Sequence, residues 1–286
     1  MIEKNMLKKL ILISLVPFII SCTATLKENK FITQSKQVNL YDAVTIDNWR
    51  QQFPDHQLKT LSLLTANQDA QLEGLYLDNP HSEQLIFVIQ GNGMQVKEGG
   101  IEMLHSLAPL GLDIVIFDRR GLGASSGQAT IKNLASDANE QYKFIKAEFK
   151  TDKIIVHGYS LGSFIATNLA KVQPIDALVL QGSATNVDDW IKAKTPWYIY
   201  PFLTVNIDPA FHTADNQVVV AEQYDRPLLI IAGEEDQQVP VALSKQLFNA
   251  SQSKNKKLIV VEGADHGNMF KNMATTKTYL QFLASL

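Results

Sequence analysis

The chain has 286 residues, of which 45% are hydrophobic and 19% charged, and its formal net charge is −3. This length suits one large domain with a substantial core, and the composition is that of an ordinary globular protein. The sequence has no basic stripe and no aromatic residues interleaved with lysine or arginine, so nucleic-acid binding is excluded and no nucleic-acid partner is expected.

Residues 1–21 have the pattern of a targeting signal. Three lysines precede an apolar run over residues 10–20, which is too short to span a bilayer, for which about 20 residues are needed, but fits a secretory signal. The run ends at Ser21 and Cys22, the only cysteine of the chain, and this ending resembles the bacterial lipobox. The resemblance implies cleavage before Cys22, a diacylglycerol thioether on its sulfur, and N-acylation, usually by a fatty acid such as palmitate.

A plain secretory signal followed by an incidental cysteine is the alternative. Lipidation of Cys22 would leave no free thiol, and two or three acyl chains would anchor the protein stably to a membrane. Residue 23 is Thr rather than Asp, which by analogy with Gram-negative lipoproteins favours the outer membrane. We therefore predict a lipid-anchored protein of the bacterial cell envelope, on the periplasmic face of the outer membrane if the organism is Gram-negative.

Residues 22–54 are predicted to form a lipid-anchored tether and a lead-in. Residues 23–40 are polar without sustained periodicity, and residues 40–53 have the pattern of an amphipathic helix.

Residues 55–286 alternate strand-like and helix-like segments and are predicted to form one α/β domain. Eight strands with helices between the later ones predict a mostly parallel sheet covered on both faces. The strand-like runs are 58–64, 72–77, 84–90, 114–118, 153–157, 177–182, 228–232 and 257–261, and the helix-like runs are 97–110, 131–150, 161–171, 241–250 and 268–286.

The most informative motif is Gly158-Tyr159-Ser160-Leu161-Gly162, which lies between a predicted strand and a predicted helix. A strand, Gly-x-Ser-x-Gly and a helix in this order form a nucleophile elbow, a tight turn that presents a serine hydroxyl above the sheet. The flanking glycines are needed because side chains there would collide with the neighbouring strand and helix. The motif makes Ser160 the candidate nucleophile, in preference to a helix-capping serine.

A serine nucleophile needs a base and an acid that orients the base. Asp236 and His266 each follow a late predicted strand, in the order Ser, acid, His that this turn type requires. Both therefore lie at the carboxyl edge of the sheet with Ser160. Glu234 and Glu235 are alternatives to Asp236, but only Asp236 keeps the spacing to a following Val-Pro pair.

The stretch Gln90-Gly91-Asn92-Gly93 directly follows a predicted strand. Its glycines allow a backbone N–H to turn toward the site and stabilise an oxyanion. The expected donors are the N–H of Leu161, the residue after the nucleophile, and that of Asn92 or of its neighbour Gly93.

These motifs together resemble the α/β-hydrolase superfamily over roughly residues 55–286. Residues 117–127, Phe-Asp-Arg-Arg-Gly-Leu-Gly-Ala-Ser-Ser-Gly, are similar to the D-x-R-G-x-G-x-S-x-G stretch of its serine-aminopeptidase-like and esterase-like members. The resemblance implies that this segment supports the site and that residues 184–225, inserted after the sixth predicted strand, form a lid. Many relatives have His where this chain has Gln90.

Six aromatic residues in the lid interval favour an apolar pocket for an acyl or aryl group, although any one of them can instead pack the lid against the core. They are Trp190, Trp197, Tyr198, Tyr200, Phe202 and Phe211.

The sequence therefore predicts a membrane-anchored serine hydrolase that cleaves a carboxylic ester of a small or lipid-like molecule through an acyl-enzyme. A peptidase or amidase, an acyltransferase of the envelope, and a non-catalytic binding protein are the alternatives. Neither a cofactor nor a metal is expected, because no ligand set with metal-binding spacing is present.

Overall fold

The computed structural model describes residues 22–35 and 37–286, with Cys22 described through its backbone. The predicted signal segment, residues 1–21, lies outside the described residues, and so does the sulfur of Cys22 that the lipid would modify. Among the described residues, no helix has both the length and the apolar character needed to cross a bilayer.

The described chain contains ten strands in two sheets. Eight of them form the main sheet, in the order β10-β9-β7-β6-β4-β5-β3-β2, and β1 and β8 form a separate parallel pair. Their bounds are β1 Cys22–Leu26, β2 Gln57–Leu64, β3 Gln71–Asp78, β4 Gln84–Ile89, β5 Asp113–Phe117, β6 Lys153–Tyr159, β7 Ala177–Gln181, β8 Leu203–Ile207, β9 Leu228–Gly233 and β10 Lys256–Val261.

The main sheet is mostly parallel. Only β3 runs antiparallel to its neighbours β2 and β5, and the other adjacent strands are parallel to each other. This arrangement confirms the predicted α/β-hydrolase fold, with an eight-stranded, mostly parallel sheet between helices.

Nine α-helices lie in the described part of the chain. They are α1 Glu28–Phe31, α2 Ala43–Gln52, α3 Gly100–Leu107, α4 Ile131–Glu148, α5 Leu161–Val172, α6 Val187–Lys194, α7 Asn216–Val218, α8 Val241–Ala250 and α9 Met273–Leu283.

The central strands are apolar along their length because helices cover the sheet on both faces. Leu85 of β4, Ile155 of β6 and Leu178 of β7 are all fully buried. The two largest buried apolar clusters lie on opposite faces of these strands, since residues that alternate along a strand point to opposite sides. This core holds the carboxyl ends of β4, β6, β7, β9 and β10 at one edge, where open α/β sheets place their sites.

Residues 23–35 differ from the predicted tether, because they are folded against the domain. β1 pairs in parallel with β8, from Cys22 opposite Leu203 to Leu26 opposite Ile207. Ile32, just after α1, is only 2% exposed. The segment is ordered because β1 pairs with a strand about 180 positions later in the sequence. A local periodicity cannot reveal such a pairing.

The lead-in contains one helix, α2, within the interval predicted from residues 40–53. Asp42 caps its N-terminus by accepting a hydrogen bond from the N–H of Thr45. Trp49 and Phe53 are buried and join the main core, so this helix covers one face of the sheet.

Candidate active site

Ser160 lies at the turn between β6 and α5 in a conformation that side-chain-bearing residues rarely adopt. Its φ is +53° and its ψ −120°, and such strain costs about 1–3 kcal/mol. The turn is held by the N–H of Ser160, which donates to the carbonyl of Gln181 (2.9 Å), and by the N–H and hydroxyl of Ser163, which donate to the carbonyl of Ser160. The surrounding hydrogen bonds therefore hold Ser160 in this strained conformation, in which the residue lines the cavity above the sheet.

The two glycines of the motif make this tight turn possible. A Cβ on Gly158 would lie 2.7 Å from the Cβ of Ala166, and a Cβ on Gly162 would collide with the carbonyl oxygen of Ile89. Because backbone cannot move aside as a flexible side chain can, α5 packs this closely on β4 and β6 only with glycine at both positions.

His266 and Asp236 form a close, buried pair. His266 follows β10 and Asp236 follows β9, and 2.6 Å separates Nδ1 of the imidazole from one carboxylate oxygen of Asp236. The other carboxylate oxygen accepts the N–H groups of Gln238 and Val239, each at 2.8 Å. The carboxylate is thus oriented by the backbone, and it fixes the tautomer of His266 in which Nε2 can accept a proton.

Two further contacts hold the His266 loop. The residue opposite the ring is Gly182, with φ of +58°, and a Cβ there would lie 2.9 Å from Cε1 of His266. The hydroxyl of Tyr159 donates to the carbonyl of His266 at 3.1 Å. Burial, together with the charge of Asp236, raises the pKa of Tyr159 to about 12, so the phenol keeps its donor proton at neutral pH.

The acidic alternatives to Asp236 point elsewhere. Glu234 and Glu235 are exposed, and the carboxylate of Glu234 accepts the N–H of Gly263. Asp265, the neighbour of His266 in sequence, is also exposed and accepts the N–H of Gly267. Asp236 is therefore the acid that the structure brings to His266.

His157, in the strand beneath the elbow, is fully buried. Its Nε2 lies 2.9 Å from the amide oxygen of Gln181, and its Nδ1 lies 3.3 Å from the hydroxyl of Tyr279. Burial lowers its pKa to about 4, so the ring is neutral at pH 7. It supports the strand and does not line the cavity above Ser160.

The residues of two expected oxyanion donors, Leu161 and Asn92, line the cavity together with Ser160. Leu161 is the first residue of α5, so its N–H has no carbonyl partner within the helix. Among the described residues, no group accepts the N–H of Asn92, which lines the same cavity. Gly93 is outside the cavity lining, so of the two alternatives Asn92 is the one at the cavity.

The side chain of Asn92 forms a contact that the sequence did not indicate. Its amide oxygen accepts hydrogen bonds from the N–H of Thr33 (2.9 Å) and from the guanidinium of Arg119 (3.0 Å), and its amide nitrogen donates to the carbonyl of Phe31 (2.8 Å). Burial lowers the pKa of Arg119 to about 10, with Asp118 opposing the shift. The only sequence signal was the position of Arg119 within the motif of residues 117–127.

Asp118 braces the same motif from the inside. Its carboxylate accepts the N–H groups of Val96 (2.7 Å) and Ala124 (2.9 Å) and the hydroxyl of Tyr41 (2.6 Å). Burial raises the pKa of Asp118, and these three donors oppose the shift. The motif therefore ties the loop after β5 to the segment that leads into α3 and to the lead-in.

A cavity of about 480 Å³ opens above Ser160. Ser160, His266 and Asn92 supply polar groups at its base, while most of its wall is apolar. The apolar wall includes Phe31, Ile131, Phe164, Trp190, Phe211 and Val239.

These six lid aromatics divide into two groups. Trp190 and Phe211 line the cavity, and Phe31 packs edge-on against both, with ring centroids 5.8 and 5.4 Å apart. The other four lie outside the cavity lining and are exposed, namely Trp197, Tyr198, Tyr200 and Phe202. The expectation that lid aromatics form an apolar pocket thus holds for two of the six, and Phe31, from the segment predicted as a tether, completes their wall.

The arrangement provides a hydroxyl, an imidazole paired with a carboxylate, and two N–H groups around one apolar cavity, which is the equipment for acyl transfer from an ester or amide. Within the described ranges, no group of three or more His, Cys, Asp or Glu side chains could hold a metal ion.

The family model for the alpha/beta hydrolase fold matches residues 84–217. An uncharacterized protein of Mycobacterium tuberculosis is 30% identical over 219 residues, which are 72% of this chain and 75% of that protein. The lysophosphatidylserine lipase ABHD12 of Danio rerio is 30% identical over 190 residues, 61% of this chain. The match spans 49% of that lipase, about half of its length.

Solved structures with the same fold include esterases. A Pyrococcus furiosus esterase superimposes with a TM-score of 0.68 at 19% identity, over 89% of this chain and 97% of that one. A cold-adapted esterase from an Arctic intertidal metagenomic library gives 0.57 at 16% identity, over 87% and 99%. At these identities the likeness shows a shared fold.

Proposed function

The chain belongs to the α/β-hydrolase family, and on that premise we propose that it is a membrane-anchored serine esterase that cleaves a lipid-like carboxylic ester. The observation that carries the proposal is the 2.6 Å contact between His266 and Asp236, with the strained Ser160 at the same apolar cavity. Covalent acyl transfer requires a serine hydroxyl at the substrate cavity, an imidazole that takes its proton, and a buried carboxylate that orients the imidazole.

In the proposed reaction, Nε2 of His266 takes the proton of the Ser160 hydroxyl as Oγ attacks the ester carbonyl. The charge that develops on the carbonyl oxygen is stabilised by the N–H groups of Leu161 and Asn92, and losing one such donor costs about 10²–10³ in rate. Asp236 stabilises the imidazolium. The intermediate collapses, the alcohol leaves with the proton from His266, and the acyl group stays on Ser160.

Deacylation uses the same groups with water in place of the alcohol. His266 takes a proton from water as the water oxygen attacks the acyl-enzyme. The second tetrahedral intermediate then breaks its bond to Oγ of Ser160, which takes the proton back from His266 as the free acid leaves. Each step conserves protons between His266, the serine and the two products, so no cofactor is required.

Two observations support an acyl chain as the bound group. The cavity wall is built mainly from aromatic and aliphatic side chains, which suit a hydrocarbon tail. One relative is named a lysophosphatidylserine lipase, and two structures of the same fold are named esterases. A lipid-like ester is therefore the proposed substrate class.

The proposed location is the bacterial cell envelope, with the chain held by lipid on Cys22. The support comes from the apolar run over residues 10–20 and from the Ser21-Cys22 ending. Mass spectrometry of the N-terminal peptide of the protein isolated from membranes tests this part. An acylated Cys22 is expected, and an unmodified Cys22 would contradict it.

Hydrolysis of p-nitrophenyl esters of graded acyl length tests the activity, with Ser160→Ala alongside. We expect turnover by the wild type with a preference for chains that fill the cavity, and nearly complete loss in the folded variant. Wild-type rates in Ser160→Ala would contradict the assignment. A folded wild type inactive on every ester would refute the esterase.

A further inference from the structure

The segment between α6 and β8, residues 197–202, exposes a continuous apolar surface. We call it the aromatic loop. Trp197 is 85% exposed and Tyr198 59%, and Ile199, Tyr200 and Phe202 each expose more than 40%. Soluble proteins seldom expose adjacent large apolar side chains in this number unless the surface meets another apolar phase.

The structure places this loop beside the start of the described chain. β8 begins at Leu203, directly after the loop, and Leu203 lies opposite Cys22 in the β1–β8 pair. The apolar run over residues 10–20 ends two positions before Cys22. The loop and the proposed lipid attachment point thus lie at the same end of the same small sheet.

The loop itself contains no charged residue that would oppose contact with lipid. From Lys192 to Ile207 the chain contains two lysines and no acidic residue. Strands β1 and β8 contain no charged residue. Trp and Tyr are the side chains that best occupy the boundary between lipid headgroups and acyl chains, because each has an apolar ring and a polar tip.

From these observations we propose that the aromatic loop inserts into the surface of the bilayer that carries the anchor, so that the domain is held at the membrane by two adjacent contacts. The inference rests on the membrane anchorage proposed above and goes beyond it by fixing which face of the domain meets the lipid. Two nearby contacts restrict rotation about the anchor, which a lipid on a flexible tether would not do.

This orientation brings the cavity to the lipid. α6 leads directly into the loop and contributes Trp190 to the cavity wall, while β1 leads into α1, which contributes Phe31. The elements that meet the bilayer are therefore continuous with the wall of the acyl cavity.

The test uses the full chain reconstituted into vesicles of phosphatidylethanolamine and phosphatidylglycerol whose acyl chains carry bromine close to the headgroup. The fluorescence of Trp197 is obtained as the difference between wild type and Trp197→Phe, since Trp49 and Trp190 are common to both. We expect brominated lipid to quench this difference signal by half or more, because bromine acts only on contact.

A chain that floats with the vesicles but whose Trp197 signal is unaffected by bromine would overturn the inference. A chain that does not float with the vesicles would overturn it together with the anchorage. Neither readout requires turnover. Quenching without ester hydrolysis would therefore support the docking surface while refuting the esterase, and hydrolysis without quenching would do the reverse.

A second measurement compares two triple variants. Trp197→Ser, Tyr200→Ser and Phe202→Ser together should lower hydrolysis of an ester dispersed in the vesicles by about tenfold, because apolar area at the interface sets membrane binding. Turnover of a short, water-soluble ester should stay unchanged. Val44→Ser, Val172→Ser and Met273→Ser, exposed apolar residues on other elements, are the matched control, and an equal loss there would contradict the proposal.

Discussion

The side-chain amide oxygen of Asn92 accepts a hydrogen bond from the guanidinium of Arg119 at 3.0 Å. The same oxygen accepts the N–H of Thr33, and the amide nitrogen donates to the carbonyl of Phe31. One residue of the proposed oxyanion loop thereby holds the N-terminal segment over the cavity. The position of the Asn92 N–H and the closure of the apolar wall are coupled through this side chain.

Asn92→Ala should disturb both the position of the N–H at residue 92 and the closure of the apolar wall. The variant keeps the backbone N–H but removes one of the two acceptors of the buried Arg119 guanidinium, which keeps the carbonyl of Thr33, and the acceptor of the exposed Thr33 N–H. The lost hydrogen bond to a charged group costs about 2 kcal/mol. We expect the free energy of unfolding in urea to fall by this amount and kcat to fall with it. Asn48→Ala, at an exposed position in α2, is the control; it should leave kcat unchanged and should not lower the stability, because alanine favours the helix. Unaltered stability in Asn92→Ala would show that the contact does not hold the segment.

Asp236→Asn should remove most turnover without unfolding the protein. The amide cannot stabilise the imidazolium and favours the wrong tautomer of His266, a change that costs on the order of 10⁴ in kcat in serine proteases. Asp265→Asn alters the residue next to His266 in an exposed position, and we expect it to retain wild-type kcat. Similar losses in the two variants would contradict the role assigned to Asp236.

Phe31→Ala should change substrate selection rather than chemistry. Its ring packs edge-on against Trp190 and Phe211 at the cavity wall. Its loss therefore opens the apolar wall and leaves the catalytic groups in place. We expect a higher KM for esters of medium-length acyl chains, with kcat for the acetyl ester unchanged. Phe202→Ala removes an equally large ring outside the cavity lining and should leave both values as they are when the ester is dissolved in water.

His157 should make stability fall with acid. Its pKa is about 4 in the folded protein, because the ring is buried, against 6.5 when exposed. Between these values the unfolded chain binds a proton that the folded chain does not, so stability is lost as pH falls from 6.5 toward 4. The loss is on the order of 3 kcal/mol, since each pKa unit corresponds to about 1.4 kcal/mol.

Urea unfolding of wild type and His157→Gln across this range isolates the effect. The variant cannot titrate at this position, and the neighbours Gln181 and Tyr279 are uncharged there. The stability difference between the two proteins should therefore shrink as pH falls. A difference that stays constant from pH 6.5 to 4 would show that the ring does not take up its proton on unfolding.

Much of the fold could be predicted from sequence because the buried strands have unmistakable local patterns. The strand that precedes the elbow was predicted over 153–157 and extends to Tyr159, and α8 has the bounds predicted for it, 241–250. Each of these segments carries its own signal, either a short continuous apolar run or a helical period between turn residues. The alternation of the two then predicts a parallel sheet.

The parts that were missed depend on contacts between distant residues. β1 is a short strand of small residues with no strong strand pattern, and it pairs only with β8. Phe31 and Ile32 are two apolar residues in a polar stretch, and their burial depends on the lid and on Asn92. Likewise, which lid aromatics face the cavity is decided by how the insertion packs, and composition alone cannot distinguish Trp190 from Trp197.

Labelling with a fluorophosphonate, a reagent that traps activated serines, tests the central claim most directly. Wild-type protein should react with one equivalent, and peptide mass spectrometry should find the adduct on Ser160. Ser126→Ala, whose hydroxyl only accepts the N–H of Gln71, should label like the wild type, whereas His266→Ala should not label. An adduct on another serine, or none in a folded protein, would contradict the account.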